Sequence, residues 1–366
     1  MEKNVKIGLI HDWLVSMRGG EKVFEVFCEL FPDATVGTLV HRKGSVSEII
    51  ENHQIKTSFL QNFPFAKERY QYYLPLFPTA IESLDFSDYD VVISSSHAVA
   101  KGIKVRKDAL HICYCHTPMR YIWDQYENYF GKNRSSLPVR AAMKFSLSYL
   151  RWWDIESSKR VTNFIANSEN VRRRIFRIYG RDSEVIHPPV DIDRFKLSLK
   201  DDGYYLIVSA LVPYKRIDIA VEAFNVLGEK LVIVGTGSEE KKLKKIASRN
   251  VEFVGQVKNE AVNELYSGCR ALIFTAEEDF GIVPLEAMST GKPVVAYGAG
   301  GSLETVVSGV TGLFYNNQSI ESLIDAVKDF QKLKFNPEVI RNHTLQFDRT
   351  VFKQKIKSYF DKKLEE

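Results

Sequence analysis

Short apolar runs recur along the chain with helical spacing between them. Val5–Ile10, Val91–Ser94, Leu110–Cys115, Ile165–Ala166, Val185–Ile186, Leu206–Ser209, Leu231–Val234, Val251–Val254, Ala271–Thr275 and Val294–Tyr297 each read as a strand buried on both faces. Glu21–Leu30, Ile217–Leu227 and Ser238–Ala247 carry apolar positions three and four apart, the period of an amphipathic helix. Buried strands alternating with helices predict the α/β class, a doubly wound parallel sheet covered on both sides. So many strands exceed one comfortable sheet, and the run His187-Pro188-Pro189-Val190-Asp191-Ile192-Asp193 reads as a stiff connector between two domains. Ligands of such domains bind at the carboxyl ends of the strands, so the chemistry is expected on strand-to-helix loops.

Composition narrows the class without changing the picture. The chain has 366 residues, 45% hydrophobic and 26% charged, the profile of a globular protein and not of a disordered or fibrous one. Its longest apolar stretches, such as Tyr204–Pro213, are too short to span a bilayer, and Met1–Lys6 leads straight into a strand without a signal-peptide pattern. Cys28, Cys113, Cys115 and Cys269 lack CxxC spacing and suit a reducing cytoplasm. The net charge of +4 is uneven. Residues 1–190 hold 26 Lys and Arg against 21 Asp and Glu, residues 191–366 hold 24 against 25, and residues 132–181 alone hold 12 against 3. An anionic partner is therefore expected at that middle segment.

The loop after the Ala271 strand holds the densest chemistry. Pro284 reads as a first helical residue, Gly291 as the residue that ends the helix, and Pro293 as a stop. That places Glu286 in the first turn, beside the amides of Ile282 and Val283, where a helix start favours anions. Glu278 opens the loop. Singly, Glu286 reads as a capping carboxylate and Glu278 as a solvated side chain; together with Phe280-Gly281 their spacing points to a ligand site.

Glu278-x7-Glu286 around Asp-Phe-Gly-Ile-Val-Pro-Leu, followed by Ala-Met-Ser-Thr-Gly-Lys-Pro, resembles the signature of family 4 of the retaining, GT-B-fold glycosyltransferases. Val208-Ser-Ala-Leu-Val-Pro-Tyr-Lys-Arg-Ile-Asp, Val232-Ile-Val-Gly-Thr-Gly, Phe253-Val-Gly-Gln-Val and Gly300-Gly-Ser-Leu-Glu follow in family order, so the resemblance covers nearly the whole chain. The Tyr-Lys-Arg-Ile-Asp and Ile-His-Pro-Pro-Val-Asp wording is most similar to bacterial O-antigen and polysaccharide mannosyltransferases that use GDP-mannose. The resemblance implies two Rossmann-like domains facing a cleft: an acceptor domain over residues 1–188 and a nucleotide-sugar domain over 189–346. Residues 347–366 are then a helix crossing back to the first domain.

What the resemblance implies for the site follows residue by residue. Glu286 takes the nucleotide ribose and Glu278 the donor sugar near the reacting carbon. The amides of Phe280, Gly281, Ile282 and Val283 hold sugar hydroxyls and phosphate, and Val257 lies by the base. The family places an Arg and a Lys five residues apart against the diphosphate; Lys215 matches the Lys, but Ala210 stands at the Arg position. Arg216 is a candidate substitute, with an ordinary surface side chain as the other reading. No metal or other cofactor is implied. Asp88-Tyr-Asp90 and Asp191-Ile-Asp193 read as turn and cap residues.

In the first domain, Gly19-Gly20 opens a helix and is assigned by similarity to the donor phosphate and acceptor region; a plain tight turn is the alternative. His116, at a strand's carboxyl end, matches the family His-x-Pro histidine near the donor sugar, and a catalytic role is expected of it. Asp12 is a lesser candidate. Over Pro138–Trp153 the residues Val139, Ala142, Met143, Ser146, Leu150 and Trp153 recur at helical spacing among Arg140, Lys144 and Arg151, which reads either as a buried face or as contact with an anionic membrane. The aromatic stretches Phe59–Phe65 and Tyr70–Pro78 read as cover for a lipid-linked acceptor or as core.

The expected function is transfer of mannose from GDP-mannose, with retention, to a lipid-linked glycan at the cytoplasmic face of the plasma membrane, with no nucleic-acid partner. A UDP-linked sugar in the same reaction, or a non-catalytic membrane- or nucleic-acid-binding module, are the alternatives. A dehydrogenase is excluded, because Gly235-Thr-Gly237 is followed by Glu240 where GxGxxG requires glycine.

Overall fold

The structure is a computed structural model that describes residues 5–126 and 137–365, and the statements below concern those residues. The chain divides into two compact units: residues 1–187 with 353–366, and residues 188–352.

The first unit is built on a seven-stranded sheet, all of whose neighbours pair in parallel. In chain order the strands are β1 (Ile7–His11), β2 (Thr35–Thr38), β3 (Ile55–Thr57), β4 (Val91–Ser96), β5 (Leu110–Cys115), β6 (Asn163–Ala166) and β7 (Ser183–Val185). Their order in the sheet is β3-β2-β1-β4-β5-β6-β7. The order reverses between β1 and β4, and at such a switch point the loops at the strands' carboxyl ends splay apart. β4 is fully buried although it ends in Ser94-Ser95-Ser96, so three hydroxyls enter the interior and must find partners there.

The second unit carries a six-stranded parallel sheet of β8 (Tyr204–Val208), β9 (Lys230–Val234), β10 (Val251–Gly255), β11 (Ala271–Phe274), β12 (Val294–Tyr297) and β13 (Gly312–Tyr315), in the order β10-β9-β8-β11-β12-β13. Here the switch point lies between β8 and β11. Apolar clusters fill both faces, one around Leu206, Leu272, Leu285 and Met288, the other around Tyr205, Phe224, Ile273 and Val327. The helix Ile217–Leu227 is amphipathic and stops at Gly228 in the left-handed region.

The C-terminal helix runs Arg349–Glu365, and its residues from Lys353 onward belong to the first unit. There Lys353 Nζ meets Glu29 Oε2 at 2.6 Å and Phe360 packs edge-on against Phe31.

The helix Leu137–Ser158 decides between two readings. Met143, Leu150 and Trp153, three positions of the face that could have lain on a membrane, are buried in the first unit's core. The side chains of Val139 and Ala142, and residues Lys132 and Arg134 of the basic stretch, lie outside the described residues. A different face is open: Phe145 is 86%, Trp152 59% and Tyr149 42% exposed. Of the aromatic stretches, Leu60, Leu74 and Phe77 are core, whereas Phe65 and Tyr72 face solvent. All four cysteines are buried free thiols. No helix among the described residues is long and apolar enough to cross a membrane.

Candidate active site

In the second unit, the loops at the carboxyl ends of β8 and β11 meet. The loop after β8 closes in a single 3-10 turn, Pro213–Lys215, and leaves through Arg216 in the left-handed region (φ 51°), an uncommon conformation for a residue with a Cβ. The turn is tied to β11, for the Thr275 hydroxyl donates to the Lys215 carbonyl at 2.6 Å. The Lys215 ammonium forms an ion pair with Glu278, both side chains being mostly but not wholly buried. Two residues that are 63 positions apart are thus joined at the switch point.

The Glu278 backbone is itself held. Its carbonyl accepts the Gly301 N–H at 2.9 Å, and at Gly301 a Cβ would sit 2.2 Å from the Phe280 Cα. Only glycine lets these two loops approach so closely. Gly281 (φ 96°) then turns the chain into the helix Ile282–Ser289, and no side chain caps that start among the described residues. Its first amides, on Ile282 and Val283, lie where helix starts favour anions. Phe280 itself is buried, with its ring edge-on to Phe347, so the backbone is what it offers the loop.

One expectation needs correction. The helix begins at Ile282, so Pro284 is its third residue and Glu286 its fifth: Glu286 is in the second turn and does not cap the helix. What holds it is the buried Tyr266, whose hydroxyl donates to Glu286 Oε2 at 3.0 Å. Arg216 turns to its own neighbourhood: its guanidinium pairs with Asp218 at 3.3 Å and donates to Gln318 Oε1 at 3.2 Å. Gln318 in turn donates to the Thr275 carbonyl, closing a local network. Val257 follows β10 and packs partly against the apolar cluster under the site.

In the first unit, Gly19 and Gly20 form the first turn of the helix Gly19–Leu30, and Glu21 reaches back to accept the Arg18 N–H at 3.0 Å. Gly20 lies beside two imidazoles: a Cβ there would be 3.6 Å from His11 Cε1 and 3.8 Å from His116 Nε2. His116 follows β5 directly, and its Nε2 is 2.8 Å from the Ser95 hydroxyl. Burial, and secondly the neighbouring His97, push its pKa down to about 3, so the ring is neutral.

Asp12 reaches these residues through His97, whose Nδ1 lies 3.1 Å from its Oδ2. It is wholly buried, and its two oxygens accept the main-chain N–H groups of His97, Ala98, Val99 and Ala100 at 2.6–3.0 Å. That carboxylate is a bracket for the turn after β4. Asp90 likewise is engaged by Arg106 at 2.5 Å and by the Lys6 N–H.

Sequence reasoning did not reach Tyr266, Ser95, His11 or His97. The run Ser94-Ser95-Ser96 within a buried strand is the one signal that pointed there, since buried hydroxyls order their neighbours.

Comparison with known proteins fits this geometry. A family profile described as "Glycosyltransferase Family 4" matches residues 38–194, and one described as "Glycosyl transferases group 1" matches residues 190–345. The chain is 26% identical over 220 residues to the O-antigen chain mannosyltransferase RfbU of Salmonella typhimurium, covering 57% of this chain and 62% of that protein. It is 32% identical over 194 residues to the GDP-mannose-dependent alpha-(1-6)-phosphatidylinositol monomannoside mannosyltransferase of Mycobacterium tuberculosis, covering 44% and 50%. In both, the match spans less than two thirds of the relative's length. Among solved structures, Anabaena HepE in complex with UDP-glucose has a TM-score of 0.69 over 97% of this chain and 99% of that one, at 20% identity, a likeness of fold. Two parallel-sheet α/β units with such neighbours are the GT-B fold. The two profiles together run over residues 38–345, and the chain is similar over that length to family 4 of the GT-B glycosyltransferases.

Proposed function

We propose that this chain is a retaining glycosyltransferase that moves mannose from GDP-mannose to a lipid-linked oligosaccharide during synthesis of a bacterial surface polysaccharide such as O-antigen. The observation that carries this reading is the Lys215–Glu278 pair at the β8/β11 switch point, beside the uncapped start of the helix Ile282–Ser289. The names of the two mannosyltransferase relatives support mannose, and the mycobacterial one supports GDP-mannose and a lipid acceptor.

In this reading the anomeric C–O bond to the diphosphate breaks with its electron pair going to the leaving oxygen. The charge that develops there is met by the Lys215 ammonium and the amides of Ile282 and Val283, so the diphosphate needs no metal. The acceptor hydroxyl bonds to the anomeric carbon on the face the diphosphate leaves, and its proton passes to a phosphate oxygen, giving retention and free GDP. Glu278 borders the reacting carbon. Glu286, oriented by Tyr266, accepts from the ribose diol. From the first unit, Gly19-Gly20 and His116 are assigned to phosphate and sugar oxygens. Arg216 stays with Asp218 and Gln318.

The acceptor's membrane is met by the exposed face Phe145, Tyr149 and Trp152, next to the exposed Lys144. Aromatics that keep one side in water, next to cations, suit an anionic interface.

The test is consumption of sugar nucleotides by the purified chain in the presence of a lipid extract carrying acceptor. GDP-mannose should be consumed fastest, with GDP released. Faster use of UDP-glucose or UDP-galactose would overturn the donor, and no consumption of any sugar nucleotide would overturn the enzyme.

A further inference from the structure

One serine hydroxyl in the first unit stands between two imidazoles, the buried His11 and the partly exposed His116. Strands β1 and β4 pair so that His11 faces Ser95, and His116 is the residue directly after β5, the strand on the other side of β4. The Ser95 Oγ is 3.1 Å from His11 Nδ1 and 2.8 Å from His116 Nε2. Ser95 and His11 have no exposed surface, and the His11 ring stacks on Phe24 at 4.9 Å. The rings are therefore fixed, and the only freedom left is where the protons sit.

A hydroxyl has one proton, so Ser95 donates to one ring and accepts from the other. The second nitrogen of His11 decides which. His11 Nε2 is buried and has no hydrogen-bond partner. Buried N–H groups without an acceptor are rarer in folded proteins than acceptors left bare, so the proton of His11 belongs on Nδ1. His11 Nδ1–H then points at Ser95, the Ser95 hydroxyl donates to His116 Nε2, and the one proton of the neutral His116 ring is left on Nδ1.

We propose that Ser95 and His11 are positioning residues that lock His116 in its Nδ1–H tautomer, so that it meets the substrate as a neutral hydrogen-bond donor and not as a base. This rests on the reading of His116 as a site residue. It bears on the mechanism, because a ring whose open nitrogen already holds its proton cannot take one from the acceptor hydroxyl. That proton must go elsewhere, and the diphosphate oxygen of the retaining reaction is such a place. What His116 supplies is a donor for a sugar hydroxyl or a phosphate oxygen.

Long-range 1H–15N correlation spectra of the full chain labelled with 15N-histidine read the tautomer directly. The His116 signals should show a protonated Nδ1 and a bare Nε2. Ser95→Ala should shift them toward the Nε2–H form and lower kcat about tenfold, the worth of one hydrogen bond, and Ser95→Thr should restore both. A protonated Nε2 in the wild-type spectrum, or an unchanged tautomer in Ser95→Ala, would overturn the proposal. The wild-type spectrum decides even if a variant fails to fold. Full turnover by His116→Ala would instead overturn the reading of His116 while leaving the tautomer result intact.

Discussion

The Tyr266 hydroxyl donates to Glu286 Oε2 at 3.0 Å, from a tyrosine with no exposed surface. Burial first, and then the Glu286 carboxylate, hold that phenol well above its usual pKa, so it remains a donor at any working pH. Because Glu286 is in the second turn of its helix, this contact replaces the helix start as the thing that aims its carboxylate. Tyr266→Phe removes the donor and leaves the ring. Affinity for GDP should fall about three- to tenfold by titration calorimetry, as expected for one hydrogen bond that orients a ligand-binding group. An unchanged affinity would separate Glu286 from the ribose.

Lys215 and Arg216 are adjacent cations with different partners, one on Glu278 and the other on Asp218 and Gln318. Lys215→Met should lower kcat by roughly 10²–10³, the effect of removing one group that stabilises developing charge. Its melting temperature should fall as well, because Glu278 is left mostly buried without its cation. Arg216→Ala should lower kcat less than tenfold. A larger loss in Arg216→Ala than in Lys215→Met would return the diphosphate to Arg216.

Buried histidines make the fold acid-sensitive. Burial, chiefly, pushes His116 down to about 3 and His111 down to about 4, and holds His11 well below its ordinary value. Such a group takes its proton only on unfolding. Stability is therefore full above the unfolded value near 6.5 and falls as the pH drops from there toward 3–4. At pH 5 each of His111 and His116 should have withdrawn about 2 kcal/mol. Thermal melts from pH 7.5 to 5 should show that decline, and His111→Asn, which cannot titrate, should flatten part of it. An equal slope in that variant would contradict the assignment.

Trp152 and Trp153 are neighbours in sequence with opposite surroundings. Trp153 is core, and its Nε1 donates to Glu82 at 2.7 Å; Trp152 is 59% exposed. Trp153→Ala should cost about 3–5 kcal/mol of stability. Trp152→Glu should leave the melting temperature nearly unchanged yet weaken co-sedimentation with phosphatidylglycerol vesicles. Undiminished vesicle binding by Trp152→Glu would remove this face from the membrane.

The contrast between those two tryptophans also marks what a sequence can and cannot disclose. Most strands were legible because parallel strands buried on both faces read as almost unbroken apolar runs, whereas the run Val185–Ile186 met β7 at one residue only. β2, β3 and β13 were not, since Thr35–Thr38, Ile55–Thr57 and Gly312–Tyr315 are short and carry Thr, Lys or Gly where the others carry Val and Ile. Helical spacing over 138–153 found part of the helix Leu137–Ser158 but not which side is core, because its aromatics recur on two faces. In the site, Lys215 and Glu278 were legible one by one, and the fold brings them together. Tyr266 was not, because its partner is 20 positions away and nothing around it departs from an ordinary helix. Ser95 meets His11 across 84 positions and His116 across 21, contacts that only the strand order creates.

Nucleotide-sugar binding tests the proposed donor site of the second unit most directly. Thermal melts of the wild-type chain should rise with GDP-mannose, by the equivalent of about 2.7 kcal/mol at 100 times the dissociation constant. Glu286→Ala should lose that rise, while Glu278→Ala should keep most of it and lose turnover. Equal stabilisation of Glu286→Ala and the wild type by GDP-mannose would contradict the site described here.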